Sequence, residues 1–177
     1  DVARGAEERA VDHGLSVLLA NSDDKPEREL IHLDLFEQQR VFGVLVTPVA
    51  ENLPRLQQLR HRGIPAVLVD RDSQDPQFAS VSVDDREGGR IAAEHLLELG
   101  RTRIAFVGGP VSIRQVADRL AGAQRAVASR VSATLEYVGT DALTVEQGRA
   151  VGRQVLAREA SDRPDAIFAA NDLLALG

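Results

Sequence analysis

The sequence from Val81 to Pro110 reads VSVDDREGGRIAAEHLLELGRTRIAFVGGP, which is the pattern of one strand–helix–strand unit. Val81 and Val83 alternate with polar neighbours, as expected for a short strand. The run from Ile104 to Val107 is apolar throughout, which is typical of a parallel strand buried on both faces. The Gly-Gly-Pro sequence that follows predicts a tight loop at the end of that strand.

A helix is predicted between these two strands. Asp84 and Asp85 place carboxylates at its positively polarised start, where they can cap free N–H groups. Gly100 is suited to the left-handed residue that ends such a helix. The spacing predicts an apolar helix side made of Gly88, Ile91, Ala92, Leu96 and Leu99.

The rest of the chain alternates short apolar segments with helical patterns in the same way. Before residue 81, strands are predicted at residues 17–20, 44–46 and 66–69, about 25 residues apart, with a helix between successive strands. This is βαβ spacing and indicates a parallel, doubly wound sheet. Because such a chain normally leads with a strand and this one opens on a helical pattern, we expect a first strand ahead of residue 1.

The spacing breaks between Val69 and Val81, where about ten residues leave no room for a helical crossover. One interpretation is an edge strand or hairpin on the same sheet. We favour passage into a second lobe, because βαβ spacing resumes at once, with strands predicted at residues 104–107, 135–138 and 166–170. The prediction is an α/β fold of two Rossmann-like, doubly wound parallel-sheet lobes, residues 1–84 and 85–177. The second lobe is expected to be incomplete.

Composition restricts the classes of function. The 177 residues carry a net charge of −6, whereas a nucleic-acid-binding domain needs a basic face. There is no cysteine, which excludes disulfides and thiolate metal sites. No apolar run approaches the roughly 20 residues of a membrane helix and no signal peptide opens the sequence, so we expect a cytoplasmic protein. There is also no methionine, so we expect that the chain was trimmed or processed.

Polar residues at the carboxyl ends of the predicted strands are the binding candidates, because open parallel sheets bind ligands there. These residues are Asn21, Asp70, Arg71, Asp84, Asn171 and Asp172, joined by Arg119 on the helix after residue 107. Carboxylates accept hydrogen bonds, an amide donates and accepts, and arginine donates in a fixed fork. This set suits a small polyol or sugar, and other small polar ligands nearly as well.

Structural roles for the same residues stay open at this point. Asp84, Asp85 and Asn171 have the positions of helix caps, and Thr144 with Gln147 has the signature of a capping box. Asp70 and Arg71 could form a solvated turn pair, and Arg119 could lie on a solvent-facing helix side.

Signatures of catalysis and of cofactor binding are absent from the sequence. The Gly-Gly-Pro loop has neither the lysine and hydroxyl of a phosphate loop nor Gly-x-Gly-x-x-Gly spacing. No Gly-x-Ser-x-Gly motif occurs, and the four histidines have no partner at metal-ligand spacing. We therefore expect no enzyme activity, no cofactor and no metal.

Five segments resemble, in order, the effector-binding core of the lac repressor (LacI/GalR) family of transcription regulators. They are GVLVTP at 43–48, GIPAVLVDR at 63–71, VDDREGGR at 83–90, RLAG at 119–122 and AND at 170–172. The resemblance covers nearly the whole chain. It implies a periplasmic-binding-protein-like fold of type I, with a small effector in the cleft between two lobes.

The resemblance also implies functional residues and partners. Asp70, Arg119 and Asn171 match family positions that contact the effector, and Asp84 and Asn21 complete the set of candidates. A homodimer is implied, with operator DNA bound through a headpiece that this chain does not contain, and no membrane. The expected function is that of a LacI-type effector-binding core. The alternative is a periplasmic sugar-binding protein of an ABC transporter, which shares this architecture.

Overall fold

A computed structural model of the chain describes residues 2–23, 25–49, 53–73 and 75–177. The chain forms two compact units, residues 1–83 and 84–177. Each unit contains one three-stranded sheet in which every strand pair is parallel. The predicted α/β class with parallel sheets is therefore confirmed.

The first unit contains a sheet of order β1-β2-β3. Its elements are α1 (Val2–Val11), α2 (Pro26–Gln38), β1 (Val44–Val46), α3 (Leu53–His61), β2 (Ala66–Val69) and β3 (Ala79–Val81). The central strand β2 pairs Ala66 with Val44 and Val67 with Ala79. Its core is formed by apolar side chains that are less than a tenth exposed, among them Leu33, Leu56, Leu59, Leu68 and Phe78.

The prediction of a strand at residues 17–20 is wrong, because this segment has no regular secondary structure. A strand exists only through hydrogen bonds to a neighbouring strand, and β1 pairs with β2 alone among the described residues. Leu18 and Leu19 are accordingly 58% and 76% exposed. The segment borders a cavity of about 590 Å³ that is also lined by α1 and β1.

The second unit is built on a sheet of order β5-β4-β6. Its elements are α4 (Asp85–Glu98), β4 (Arg103–Gly108), α5 (Arg114–Ala128), β5 (Thr134–Gly139), α6 (Val145–Leu156), a short 3-10 helix (Ala160–Asp162), β6 (Ala166–Ala169) and α7 (Asp172–Leu176). Strand β4 is central and is buried from Ile104 to Gly108, as its apolar run predicts. Phe106 packs edge-on against Phe168 of β6, with ring centroids 4.9 Å apart.

Helix α4 forms where predicted, but it buries a different side. Ile91 and Leu99 are 53% and 59% exposed, whereas Gly89 and Ala93 are buried. Small residues face α5 because the two helices approach closely there: a β-carbon at Gly89 would overlap a backbone atom of α5. The close approach of α4 to α5 therefore determines which face of α4 is buried. That face carries small residues, and the larger apolar side chains lie outside it.

Candidate functional site

The carboxyl edge of the second sheet brings together several of the predicted binding residues. Strands β4, β5 and β6 end there, and helices α4, α5, α6 and α7 begin there, as in other doubly wound sheets. Arg119 contacts both the start of α4 and the end of β6.

Arg119 is held by two hydrogen bonds from its guanidinium group. Its Nε donates to Oδ1 of Asp85 at 2.7 Å, and its Nη1 donates to the carbonyl oxygen of Ala170 at 2.5 Å. The Arg119 and Asp85 side chains are 33% and 11% exposed. Arginine has five N–H donors, so three remain without a protein partner among the described residues. The side chain is thus fixed in place and still able to donate to a ligand.

Asp85 is the residue that sequence reasoning missed at this site. The sequence indicates a helix-start role for it as one open interpretation, whereas in the structure its carboxylate accepts a hydrogen bond from Arg119, 34 positions further along the chain. No local pattern links two residues at that separation, because the pair forms only where α4 crosses α5.

Asn171 and Asp84 are both helix caps, as the cap interpretation predicts. Oδ1 of Asn171 accepts from the N–H of Leu174 at 2.9 Å, and Oδ1 of Asp84 accepts from the N–H of Glu87 at 2.9 Å. The cap of Asn171 leaves its amide nitrogen without a partner among the described residues. The cap of Asp84 uses only one of its two carboxylate oxygens. Capping therefore leaves both side chains a group that can bind a ligand.

Asp70 lies in the first unit, directly after β2. Its backbone is left-handed, with φ of 57°, a conformation that aspartate tolerates better than most residues. Its N–H donates to the carbonyl oxygen of Val81 at 2.8 Å, which extends the β2–β3 pairing by one residue. The turn that follows leaves Asp70 exposed at the carboxyl edge of the first sheet.

Asn21 belongs to a local turn. Its Nδ2 donates to Oδ1 of Asp23 at 2.8 Å, and its Oδ1 accepts from the N–H of Asp23 at 3.0 Å. Asp23 in turn forms an ion pair with Arg28. Both polar ends of the Asn21 side chain thus have partners within the turn.

Glu29 is a second residue without a sequence signal. Its side chain lies on α2 and is only 4% exposed, which is unusual for a carboxylate. Its Oε2 accepts from the N–H of Val49 at 2.8 Å. Glu29 therefore anchors the segment after β1, at the same sheet edge as Asp70.

Acidic groups surround the helix starts at the carboxyl edge of the second sheet. The first turns of α4, α6 and α7 contain Asp85 and Glu87, Glu146, and Asp172 respectively. Hydrogen bonds from Arg90 hold the pKa of Glu87 below its ordinary value. Backbone and Thr144 hydrogen bonds do the same for the pKa of Glu146. The Glu87 and Glu146 carboxylates, with their lowered pKa values, are therefore charged at neutral pH.

The described part of the chain contains neither a metal-ligand cluster nor a membrane-spanning helix. No group of three histidine, aspartate or glutamate side chains there is arranged to hold a metal ion. No described helix has both the length and the apolar character needed to cross a membrane.

Comparison with known proteins identifies the family of this fold. Residues 1–177 match the family of periplasmic binding proteins and sugar binding domains of the LacI family. The ribose operon repressor of Halalkalibacterium halodurans is 32% identical over 177 residues, which is 100% of this chain and 51% of that protein. The chain thus spans about half the length of this curated relative.

Two solved structures share the fold closely. The Cra transcriptional dual regulator of Pseudomonas putida, in complex with fructose 1-phosphate, superposes with a TM-score of 0.87 at 26% identity, covering 99% of this chain and 65% of that one. An ABC transporter periplasmic solute binding protein from Actinobacillus succinogenes, with bound D-allose, gives a TM-score of 0.86 at 26% identity, with coverages of 99% and 65%. The chain therefore belongs to the family of periplasmic binding proteins and sugar-binding domains of LacI-type regulators.

Proposed function

We propose that this chain is the small-molecule effector-binding core of a LacI-type transcription regulator. The observation that carries the proposal is the arrangement of Arg119, fixed at the carboxyl edge of a parallel sheet with three N–H donors that no described residue occupies. The family match over the whole chain supports it. In this proposal residues 1–84 and 85–177 are the N-terminal and C-terminal lobes of the core.

The proposed effector is a sugar or a related metabolite. Arg119 and the amide nitrogen of Asn171 donate hydrogen bonds to its oxygen atoms, and the carboxylates of Asp70 and Asp84 accept from its hydroxyls. Asn21 is the fifth proposed contact, and it requires a rearrangement because both ends of its side chain bind Asp23.

Regulation in this proposal requires two states that bind the effector differently. The full-length protein acts in the cytoplasm as a homodimer and binds operator DNA through a separate headpiece. Effector occupancy then changes the affinity of that headpiece for the operator.

The test uses the full-length protein and a panel of sugars, polyols and purines. A compound that binds only the folded state raises the melting temperature, by an amount that grows with its concentration. The active compound should also change operator binding in a gel-shift assay. The variant Arg119→Gln should lose the thermal shift, whereas Arg101→Gln, an exposed arginine beyond the end of α4, should keep it. A normal thermal shift in Arg119→Gln would contradict the assigned site.

A periplasmic sugar-binding protein is the second candidate, and the similarity to the allose-bound transport protein supports it. Cell fractionation separates the two candidates. A regulator should be found in the cytoplasm and bind DNA, whereas a transport protein should appear in the periplasm and have no effect on DNA.

A further inference from the structure

The positive charge of Arg119 is already balanced by the protein. Its Nε lies 2.7 Å from Oδ1 of Asp85, whose side chain is only 11% exposed. We infer that the effector presents uncharged hydroxyl groups, and not a phosphate or carboxylate, to the carboxyl edge of the second unit. This inference rests on the proposed function and narrows its ligand class.

The Arg119–Asp85 pair distinguishes between neutral and anionic ligands. An anion approaching Arg119 also approaches the Asp85 carboxylate, and the repulsion offsets much of the attraction. A hydroxyl group meets no such repulsion, because it needs only an N–H donor or a carboxylate acceptor. The site thus keeps its hydrogen-bonding capacity for sugars while it lacks net positive charge.

Three of the four described helix starts at this edge are equally unsuited to an anion. The N-terminus of a helix attracts anions through free N–H groups and a partial positive charge. Here Asp84, Thr144 and Asn171 already accept from N–H groups of α4, α6 and α7. Each of these three helices also has a carboxylate in its first turn, which cancels the partial charge.

Helix α5 is the exception among the four α-helices described in the second unit. It begins without a side-chain cap and has no acid in its first turn. Arg114, its first residue, shares Asp118 with Arg86, at distances of 3.5 Å and 2.7 Å. A phosphate bound at this edge would therefore contact Arg114. Loss of phosphate binding in an Arg114 variant would identify that alternative site.

The experiment compares neutral sugars with their own phosphate esters on the full-length protein. Ribose is paired with ribose 5-phosphate, fructose with fructose 1-phosphate and glucose with glucose 6-phosphate, and inorganic phosphate is measured alone. Calorimetry should show that the neutral member of the recognised pair binds at least about tenfold more tightly than its ester. Inorganic phosphate should not stabilise the wild-type protein.

The variant Asp85→Asn separates charge from geometry. Its amide oxygen can still accept from Arg119, so affinity for the neutral sugar should stay within about threefold. Affinity for the ester and for inorganic phosphate should rise at least about tenfold, because Arg119 is no longer balanced. The matched control is Asp162→Asn, which removes the same charge from the exposed 3-10 helix ahead of β6, away from Arg119, and should leave the sugar-to-ester ratio unchanged.

Three results would overturn the inference. Tighter binding of an ester than of its parent sugar by the wild type, lost in Arg114→Gln, would mean that an anion binds at α5 and would leave the proposed function intact. An equal gain in anion binding by both asparagine variants would mean that net charge, and not the pair, is responsible. If no sugar or ester binds at all, the proposed sugar-binding function fails together with the inference.

Discussion

Gly89 of α4 lies directly against the main-chain carbonyl of Arg119 on α5, so that a β-carbon at position 89 would overlap the carbonyl oxygen. The contact is reciprocal, because Gly122 of α5 meets the carbonyl of Arg86 in the same way. These two glycines permit the close crossing that brings Asp85 within hydrogen-bonding distance of Arg119. Helix packing and the candidate site are therefore coupled through the backbone of α5.

Gly89→Ala should destabilise the protein by about 1–3 kcal/mol, because the added methyl group forces the two helices apart. It should also weaken effector binding by displacing Arg119 from Asp85. The matched control is Gly88→Ala, since a β-carbon at that position meets nothing within 4 Å. In the interior of a helix this change should stabilise by about 0.5–1 kcal/mol. Urea denaturation measures both, and equal effects at the two positions would refute the close-packing argument.

Asp84 can be tested for its two roles with a pair of variants. Asp84→Ala should cost about 1 kcal/mol because the cap to Glu87 is lost, whereas Asp84→Ser keeps a capping oxygen and most of the stability. If Asp84 also contacts the effector, both variants should weaken effector binding by calorimetry. Full binding in Asp84→Ser would show that the residue acts only as a cap.

Asp165 should make stability depend on acid pH. Its carboxylate accepts from the N–H of Thr102 at 3.0 Å, from the Thr102 hydroxyl at 3.2 Å and from the N–H of Arg103 at 3.0 Å. Burial raises the pKa of Asp165, but these hydrogen bonds outweigh burial and hold it below its ordinary value of 3.8. The stabilisation is therefore complete above the unfolded-state pKa and is lost as the pH falls through the folded-state pKa.

The measurement is the unfolding midpoint in urea between pH 2 and pH 7, for the wild type and Asp165→Asn. The variant should be less stable at pH 7 and should lose less stability than the wild type as the pH falls below about 4. Parallel curves for the two proteins would contradict the role given to this carboxylate.

Glu29→Ala should cost about 1–3 kcal/mol, because it leaves the N–H of Val49 without its acceptor. Glu29→Gln keeps a carbonyl oxygen in place and should cost less. Of these variants, only Glu29→Ala should show faster hydrogen exchange at the Val49 amide than the wild type. The control is Glu27→Ala, an exposed acid on the same helix, which should leave that amide unchanged.

Features that depend on neighbouring residues could be predicted from the sequence. The apolar run at 104–107 is the buried centre of β4, and Thr144 and Asn171 cap the helices that follow them. The alternation of strands and helices indicated parallel sheets, which the structure contains. Each of these signals lies within one strand or one helical turn, where backbone geometry alone relates the residues.

Only the tertiary structure decided features that depend on the distance between elements. The approach of α4 to α5 buries Gly89 in place of Ile91 and pairs Asp85 with Arg119. Residues 17–20 have the composition of a strand but no described neighbour to pair with, and Glu29 is buried with its carboxylate bonded to the N–H of Val49, 20 positions away. The sequence by itself determined which segments are helical or apolar, because those preferences are local. Packing between elements decided which side chains are in contact, because residues tens of positions apart leave no local pattern in the sequence.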